Sequence, residues 1–191
     1  MICKYVIKTT IVSAGILLLF SCQRQNYIEP DTKFLNMKTL QPEFSINSVS
    51  DDFDVLVLNF FAPGCPPCIN EIPELKLFHK MTLDRKNDQK NILFVSIGSS
   101  LSELNVENTV EQIQENVSQF VQSNNLPYPV YLADRKLLKN FRITGYPETF
   151  IFFKKENKEW SVIRKYLSEV NSKDLMDKII EFRKKKSNSY P

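Results

Sequence analysis

An α/β fold with a mixed central β-sheet and helices on both faces is predicted by three features of the chain. Val55 to Phe61 is an apolar, valine- and aromatic-rich run of the kind that forms a strand buried on both sides. Segments of helical spacing alternate with such runs through most of the sequence, the order that builds parallel strands joined by crossover helices. Glu156-Asn157-Lys158 then separates two apolar runs by a hairpin turn, so the sheet must also contain an antiparallel pair. With 191 residues, 42% of them hydrophobic and 25% charged, the chain has the composition of an ordinary globular domain.

The elements follow in order. Short apolar stretches from Phe34 to Ile46, broken by Pro42, read as one or two strands at a sheet edge, where a missing N–H is tolerated. After the strand at 55–61, Ala62-Pro63-Gly64-Cys65 makes a turn. Pro66 and Pro67 then open a helix, because first-turn N–H groups have no helical partner to lose. Ile69, Ile72, Leu75 and Phe78 form its apolar stripe, and Pro73 predicts a kink. Ile92 to Ile97 is a second buried strand. Val110, Ile113, Val117, Phe120 and Val121 recur at helical spacing up to Ser123. Tyr128 to Leu132 reads as a strand, Asp134 as the cap of a short helix ending near Phe141, and Thr149 to Phe153 as a strand that Trp160 to Tyr166 joins antiparallel. A last helix begins near Asn171 or Ser172 and turns Leu175, Met176, Ile179 and Ile180 inward. Arg183, Lys184, Lys185 and Lys186 close it, where positive charge suits the helix dipole.

The N-terminus is an export leader by pattern: Lys4 and Lys8, then an apolar run from Ile11 to Phe20, then Leu19-Phe20-Ser21-Cys22. Ser13 and Gly15 interrupt the run and it is short for a membrane span, which needs roughly 20 apolar residues. The closing tetrad resembles a bacterial lipobox, which makes Cys22 the expected lipidated N-terminus of the mature chain. An ordinary signal peptide and an uncleaved anchor are the alternatives. The expected organisation is a leader at 1–21, a flexible tether at 22–33 and one domain at 34–186, lipid-anchored in the cell envelope and facing an extracytoplasmic compartment such as the periplasm. The formal charge of +3, lowered to +1 by loss of Lys4 and Lys8, argues against a nucleic-acid surface.

Of the four cysteines, Cys3 lies in the leader and Cys22 would carry lipid, so the folded domain keeps Cys65 and Cys68 alone. One pair is too few for a disulfide scaffold in an exported protein. A zinc site is equally unsuited, since His79 is the single histidine and there is no second cysteine pair. No metal or other cofactor is expected, and redox chemistry remains. A helix N-terminus favours thiolate over thiol, which marks Cys65 as the nucleophile. Cys68, about one turn further on, is placed to resolve a mixed disulfide. The competing reading is a pair of structural or incidental thiols.

The run Val-Leu-Val-Leu-Asn-Phe-Phe-Ala-Pro-Gly-Cys-Pro-Pro-Cys-Ile-Asn-Glu-Ile-Pro at 55–73 resembles the active-site segment of the TlpA/ResA branch of the thioredoxin superfamily, membrane-tethered extracytoplasmic oxidoreductases. Phe-Arg-Ile-Thr-Gly-Tyr-Pro-Glu-Thr-Phe at 141–150 resembles that branch's second conserved segment. The resemblance implies a thioredoxin fold, a cis proline at Pro147 beside the cysteine pair, and Tyr146 as a substrate contact in the groove. It also implies protein thiols and disulfides as substrates and a membrane partner as electron donor. The direction implied is reduction of exported protein disulfides, for example in apocytochrome c maturation.

Two positions depart from the branch's pattern. Gly64 stands where a tryptophan usually precedes the first cysteine, which opens the rim of the site. Asn59 occupies the strand position of thioredoxin's buried acid and cannot take a proton, leaving water or Glu71 as weak substitutes; its simpler role is structural hydrogen bonding. Pro66 and Pro67 remove the two N–H groups after Cys65, so its thiolate has fewer donors, which leans toward a reductant. A peroxiredoxin-like peroxidase would need threonine or serine three residues before its reactive cysteine, where Ala62 and Cys65 stand. A binding lipoprotein with a structural disulfide is the non-enzymatic alternative.

Overall fold

The computed structural model of the protein describes residues 28, 30–84, 91–100 and 108–187. The leader at 1–21, Cys22 and the tether up to residue 27 lie outside the described residues. The chain enters through two short strands, β1 (Phe34–Asn36) and β2 (Pro42–Phe44), and a 3-10 turn at Ile46–Ser48. It continues through β3 (Val55–Phe61), α1 (Pro66–Asn70), α2 (Ile72–Leu83), β4 (Ile92–Gly98) and α3 (Val110–Ser123). Then follow β5 (Val130–Leu132), α4 (Arg135–Asn140), β6 (Glu148–Lys154), β7 (Trp160–Tyr166) and α5 (Ser172–Ser187).

The strands form one sheet in the order β2-β1-β5-β4-β3-β6-β7. Three central strands, β3, β4 and β5, run parallel, while β6 pairs antiparallel with β3 and with β7. β3 sits between β4 and β6, and every one of its residues is buried. Its side chains divide by the period of two. Leu56, Leu58 and Phe60 join Leu137, Leu138, Phe141, Phe150 and Phe152 on the face covered by α4. Val55 and Val57 join Leu75, Phe78, Leu175, Met176 and Ile179 on the face covered by α2 and α5. Phe61 continues that second face into a smaller cluster with Cys65, Cys68, Ile72 and the α3 residues Ile113, Val117 and Phe120. The fold is a mixed sheet with helices on both faces, as expected.

Three local expectations need adjusting. The predicted first helix is two helices, parted at Glu71, because Pro73 has no N–H for the Ile69 carbonyl. Cys68 takes the inward position in α1, and the stripe is Cys68, Ile72, Leu75 and Phe78; Ile69, one residue out of phase, is 46% exposed. The strand expected from Tyr128 begins at Val130, since Pro129 cannot donate to a ladder. Residues expected in the tether already touch the domain. Asn47 N–H donates to the Pro30 carbonyl at 3.2 Å, Asn47 Nδ2 to Asp31 Oδ1 at 2.7 Å, and Asn140 Nδ2 to Thr32 Oγ1 at 3.2 Å.

Candidate active site

The buried strand β3 ends at Phe61, and the turn that follows delivers Cys65 to the start of α1. Gly64 makes the turn with φ 78°, a left-handed conformation in which a tryptophan side chain would be strained. Cys65 is the N-cap of α1, with Pro66 and Pro67 in the first turn. Its sulfur is disulfide-bonded to Cys68, with the two Cα atoms 5.3 Å apart. Cys68 N–H donates to Cys65 Sγ at 3.2 Å. Since Pro66 and Pro67 carry no N–H, this is the first backbone donor after Cys65 that can reach its sulfur.

The Tyr146–Pro147 peptide bond is cis and lies at the entry to β6. The pairing of β6 with β3 brings it to the cysteine end of the sheet, because Glu148 stands opposite Phe60 and Thr149 opposite Asn59. Tyr146 packs against the cluster that contains Cys65 and Cys68, and its hydroxyl donates to the Ser100 carbonyl at 3.5 Å. The absence of an indole at Gly64 therefore does not bare the cysteines: Cys65 is 3% and Cys68 2% exposed.

Next to the pair in sequence stands a buried polar group, for which the sequence predicts only a weak part. Glu71, at the helix break three residues past Cys68, is 2% exposed. Its Oε1 accepts from Asn59 Nδ2 at 2.8 Å and its Oε2 from Val170 N–H at 3.1 Å. Burial raises this carboxyl from 4.5 to about 7; the two hydrogen bonds oppose the rise, and the negative charge of Glu169 adds to it. Asn59 is fully buried and ties three elements together. Its Nδ2 also donates to Thr149 Oγ1 at 3.0 Å, and its Oδ1 accepts from Ser96 Oγ at 3.4 Å. The structural role expected of Asn59 is thus present, and it acts on Glu71 directly. A glutamate three residues beyond a buried helical cysteine, beside a proline that breaks the helix, is the sequence signal that locates it.

His79 stands two turns along α2, edge-on to Tyr128 with ring centroids 5.8 Å apart, and takes no part in this cluster. Among the described residues no group of three or more potential ligands could hold a metal ion, and no helix is long and apolar enough to cross a membrane.

Comparison with known proteins agrees with the geometry. The sporulation thiol-disulfide oxidoreductase A of Bacillus subtilis is 27% identical over 120 residues, 62% of this chain and 64% of that protein, so the chain spans somewhat less than two thirds of that relative's length. The crystal structure of StoA from Bacillus subtilis superposes with a TM-score of 0.55 at 20% identity, covering 79% of this chain and 98% of that one. A thiol:disulfide interchange protein of the thioredoxin family from Chlorobium tepidum gives 0.55 at 24% identity, covering 80% and 92%. These two likenesses establish a shared fold. Residues 52–158, more than half of the chain, match the family described as thioredoxin-like, and the chain belongs to that family.

Proposed function

We propose that the protein is an extracytoplasmic thiol-disulfide oxidoreductase that reduces disulfides of exported proteins, with Cys65 as nucleophile and Cys68 as resolving thiol. The observation that carries the reading is the Cys65–Cys68 disulfide, capping a helix N-terminus at the end of the central strand and sharing that end with the cis Tyr146–Pro147 bond. The Bacillus relative's description as a thiol-disulfide oxidoreductase supports the same chemistry.

In the reduced protein the Cys65 thiolate, held by the start of α1, attacks one sulfur of a substrate disulfide. A mixed disulfide forms, the substrate bond breaks, and the departing thiolate takes up a proton. The backbone around Tyr146 and Pro147 aligns the substrate chain, and the Tyr146 ring contacts it. Cys68 then gives its proton to Glu71 and attacks Cys65 Sγ. The intramolecular disulfide forms and the second substrate sulfur leaves as thiolate, protonated in turn from Glu71 or solvent. The substrate gains two electrons and two protons; the cysteine pair loses both electrons and the Cys68 proton, and solvent, which took the Cys65 proton when that thiol ionised, supplies the other. A dithiol protein in the membrane returns the pair to the reduced state. Glu71 suits the transfer because a carboxyl near 7 is half-ionised at neutral pH.

The donors around Cys65 support the reductant direction. A strong oxidant of this fold is one whose reduced form is stabilised, and here two prolines withhold backbone N–H groups from the Cys65 sulfur, leaving that of Cys68. We place the domain at 34–186, behind a leader at 1–21, a lipid on Cys22 and a tether at 22–33 whose last residues dock on the domain; apocytochrome c is one substrate of the required kind. The trapping experiment tests the assignment. Cys68→Ala accumulates a mixed disulfide between Cys65 and a peptide disulfide, and Cys65→Ala forms none. Failure of Cys68→Ala to trap would contradict the roles.

A further inference from the structure

The segment that carries the cis proline is fastened by a single buried carboxylate. Glu148, 1% exposed, directly follows Pro147. Its Oε1 accepts from Thr144 N–H at 2.9 Å, Thr144 Oγ1 at 2.6 Å and Gly145 N–H at 3.2 Å. Its Oε2 is paired with Lys165 Nζ at 2.7 Å, a lysine that reaches in from the outer strand β7. The same ammonium donates to the Arg142 carbonyl at 3.1 Å and lies 5.0 Å from the centre of the Phe150 ring. Arg142 itself has φ 51°, a left-handed conformation that a residue with a Cβ adopts only where its surroundings hold it. Every residue on the approach to Tyr146 that these contacts reach is therefore tied either to Glu148 or to Lys165.

We propose that the Glu148–Lys165 pair is a positioning device for substrate: it holds residues 142–147 so that the backbone beside Tyr146 and Pro147 meets an incoming chain in register, without touching the reacting sulfurs. The proposal rests on the oxidoreductase reading. A buried carboxylate stripped of the Lys165 cation seeks water or another partner, and the donors it holds on Thr144 and Gly145 move with it. Because the pair acts on alignment, its loss weakens substrate binding and leaves the electron affinity of the Cys65–Cys68 couple alone.

The test uses the whole reduced protein and a short cysteine peptide presented as its disulfide-linked, fluorescence-quenched dimer. The half-saturating concentration, the plateau rate and the reduction potential are read for each variant. Lys165→Met keeps the apolar stem over Phe150 and removes the charge. It is expected to raise half-saturation on the order of ten- to a hundredfold, with plateau rate and potential unchanged, since small misplacements of a binding segment have effects of that size. Lys165→Arg, which keeps a cation at that place, restores most of the loss. Glu148→Gln combined with Lys165→Met removes both charges, retains an acceptor for Thr144 and Gly145, and is expected to bind peptide within about threefold of the parent protein. The double variant also decides the matter if Lys165→Met alone does not fold. A half-saturating concentration in Lys165→Met equal to the parent's would overturn the proposal, as would a double variant as weak as the single one, or a potential that shifts with Lys165. An unmodified protein that never reduces the peptide would instead overturn the oxidoreductase reading.

Discussion

Replacing Glu71 by glutamine removes the buried carboxyl three residues past Cys68, and the consequence is a change in how stability depends on pH. The carboxyl titrates near 4.5 when the chain is unfolded and at about 7 when folded, with burial as the main cause. Below 4.5 it is protonated in both states and costs nothing. Between 4.5 and 7 the unfolded chain ionises it while the folded protein resists, so stability falls as pH rises; above about 7 the penalty is complete. A shift of that size corresponds to about 3 kcal/mol. Glutamine has no such titration, although its amide nitrogen facing Val170 N–H adds a pH-independent cost. Urea unfolding of the oxidised protein, in which the paired cysteines do not titrate, at several pH values between 4 and 8.5 should therefore show the parent losing about 3 kcal/mol relative to Glu71→Gln over that range. Curves that stay parallel across it would refute the account of Glu71 as a buried, proton-holding group.

Other consequences are open to measurement. In peptide exchange, Glu71→Gln should slow the resolving step about a hundredfold, read as a mixed disulfide that lingers in quenched-flow samples. Asn59→Ala leaves Glu71 Oε1 without its donor and should cost about 1–3 kcal/mol. Because the lost bond favours the ionised carboxyl, the pH profile of exchange should also move toward alkaline values. Gly98→Ala sets a Cβ 2.6 Å from Val117 Cγ1 and 3.1 Å from Phe61 Cζ, an overpacking that should cost about 1–3 kcal/mol in urea unfolding with the reduction potential unmoved. Arg183→Ala breaks the two-pronged contact of Arg183 with Asp54, at 2.6 and 3.2 Å, and should cost about 1 kcal/mol at low salt and less at high salt.

Much of this architecture is legible in the sequence because local signals agree with one another. The near-continuous apolar run at 55–61 calls for a strand covered on both faces, and α3 falls at Val110–Ser123, where apolar residues recur at helical spacing. The cysteines and their turn lie in one contiguous segment whose pattern carries its own geometry, and the cis proline is implied by the family resemblance of residues 141–150. Contacts between distant positions left no such trace. Nothing local says that Glu71 will meet Val170, that Asn59 will bridge Glu71 and Thr149, or that Lys165 will pair with Glu148. Each depends on strand register or on the helix break at Glu71. Arg183 reads as part of a solvated basic cluster until the return of α5 over the sheet brings it to Asp54. Ile69 reads as core by periodicity, yet the inward place in its turn goes to Cys68.

The reduction potential of the Cys65–Cys68 couple, equilibrated against thiol buffers and read by alkylation, tests the central claim most directly. With two prolines withholding donors from the Cys65 sulfur, the account predicts a value near or below that of thioredoxin, about −270 mV. A value near about −120 mV would make the protein a donor of disulfides, and a pair that does not titrate at all would make the bond structural; either result would contradict the account.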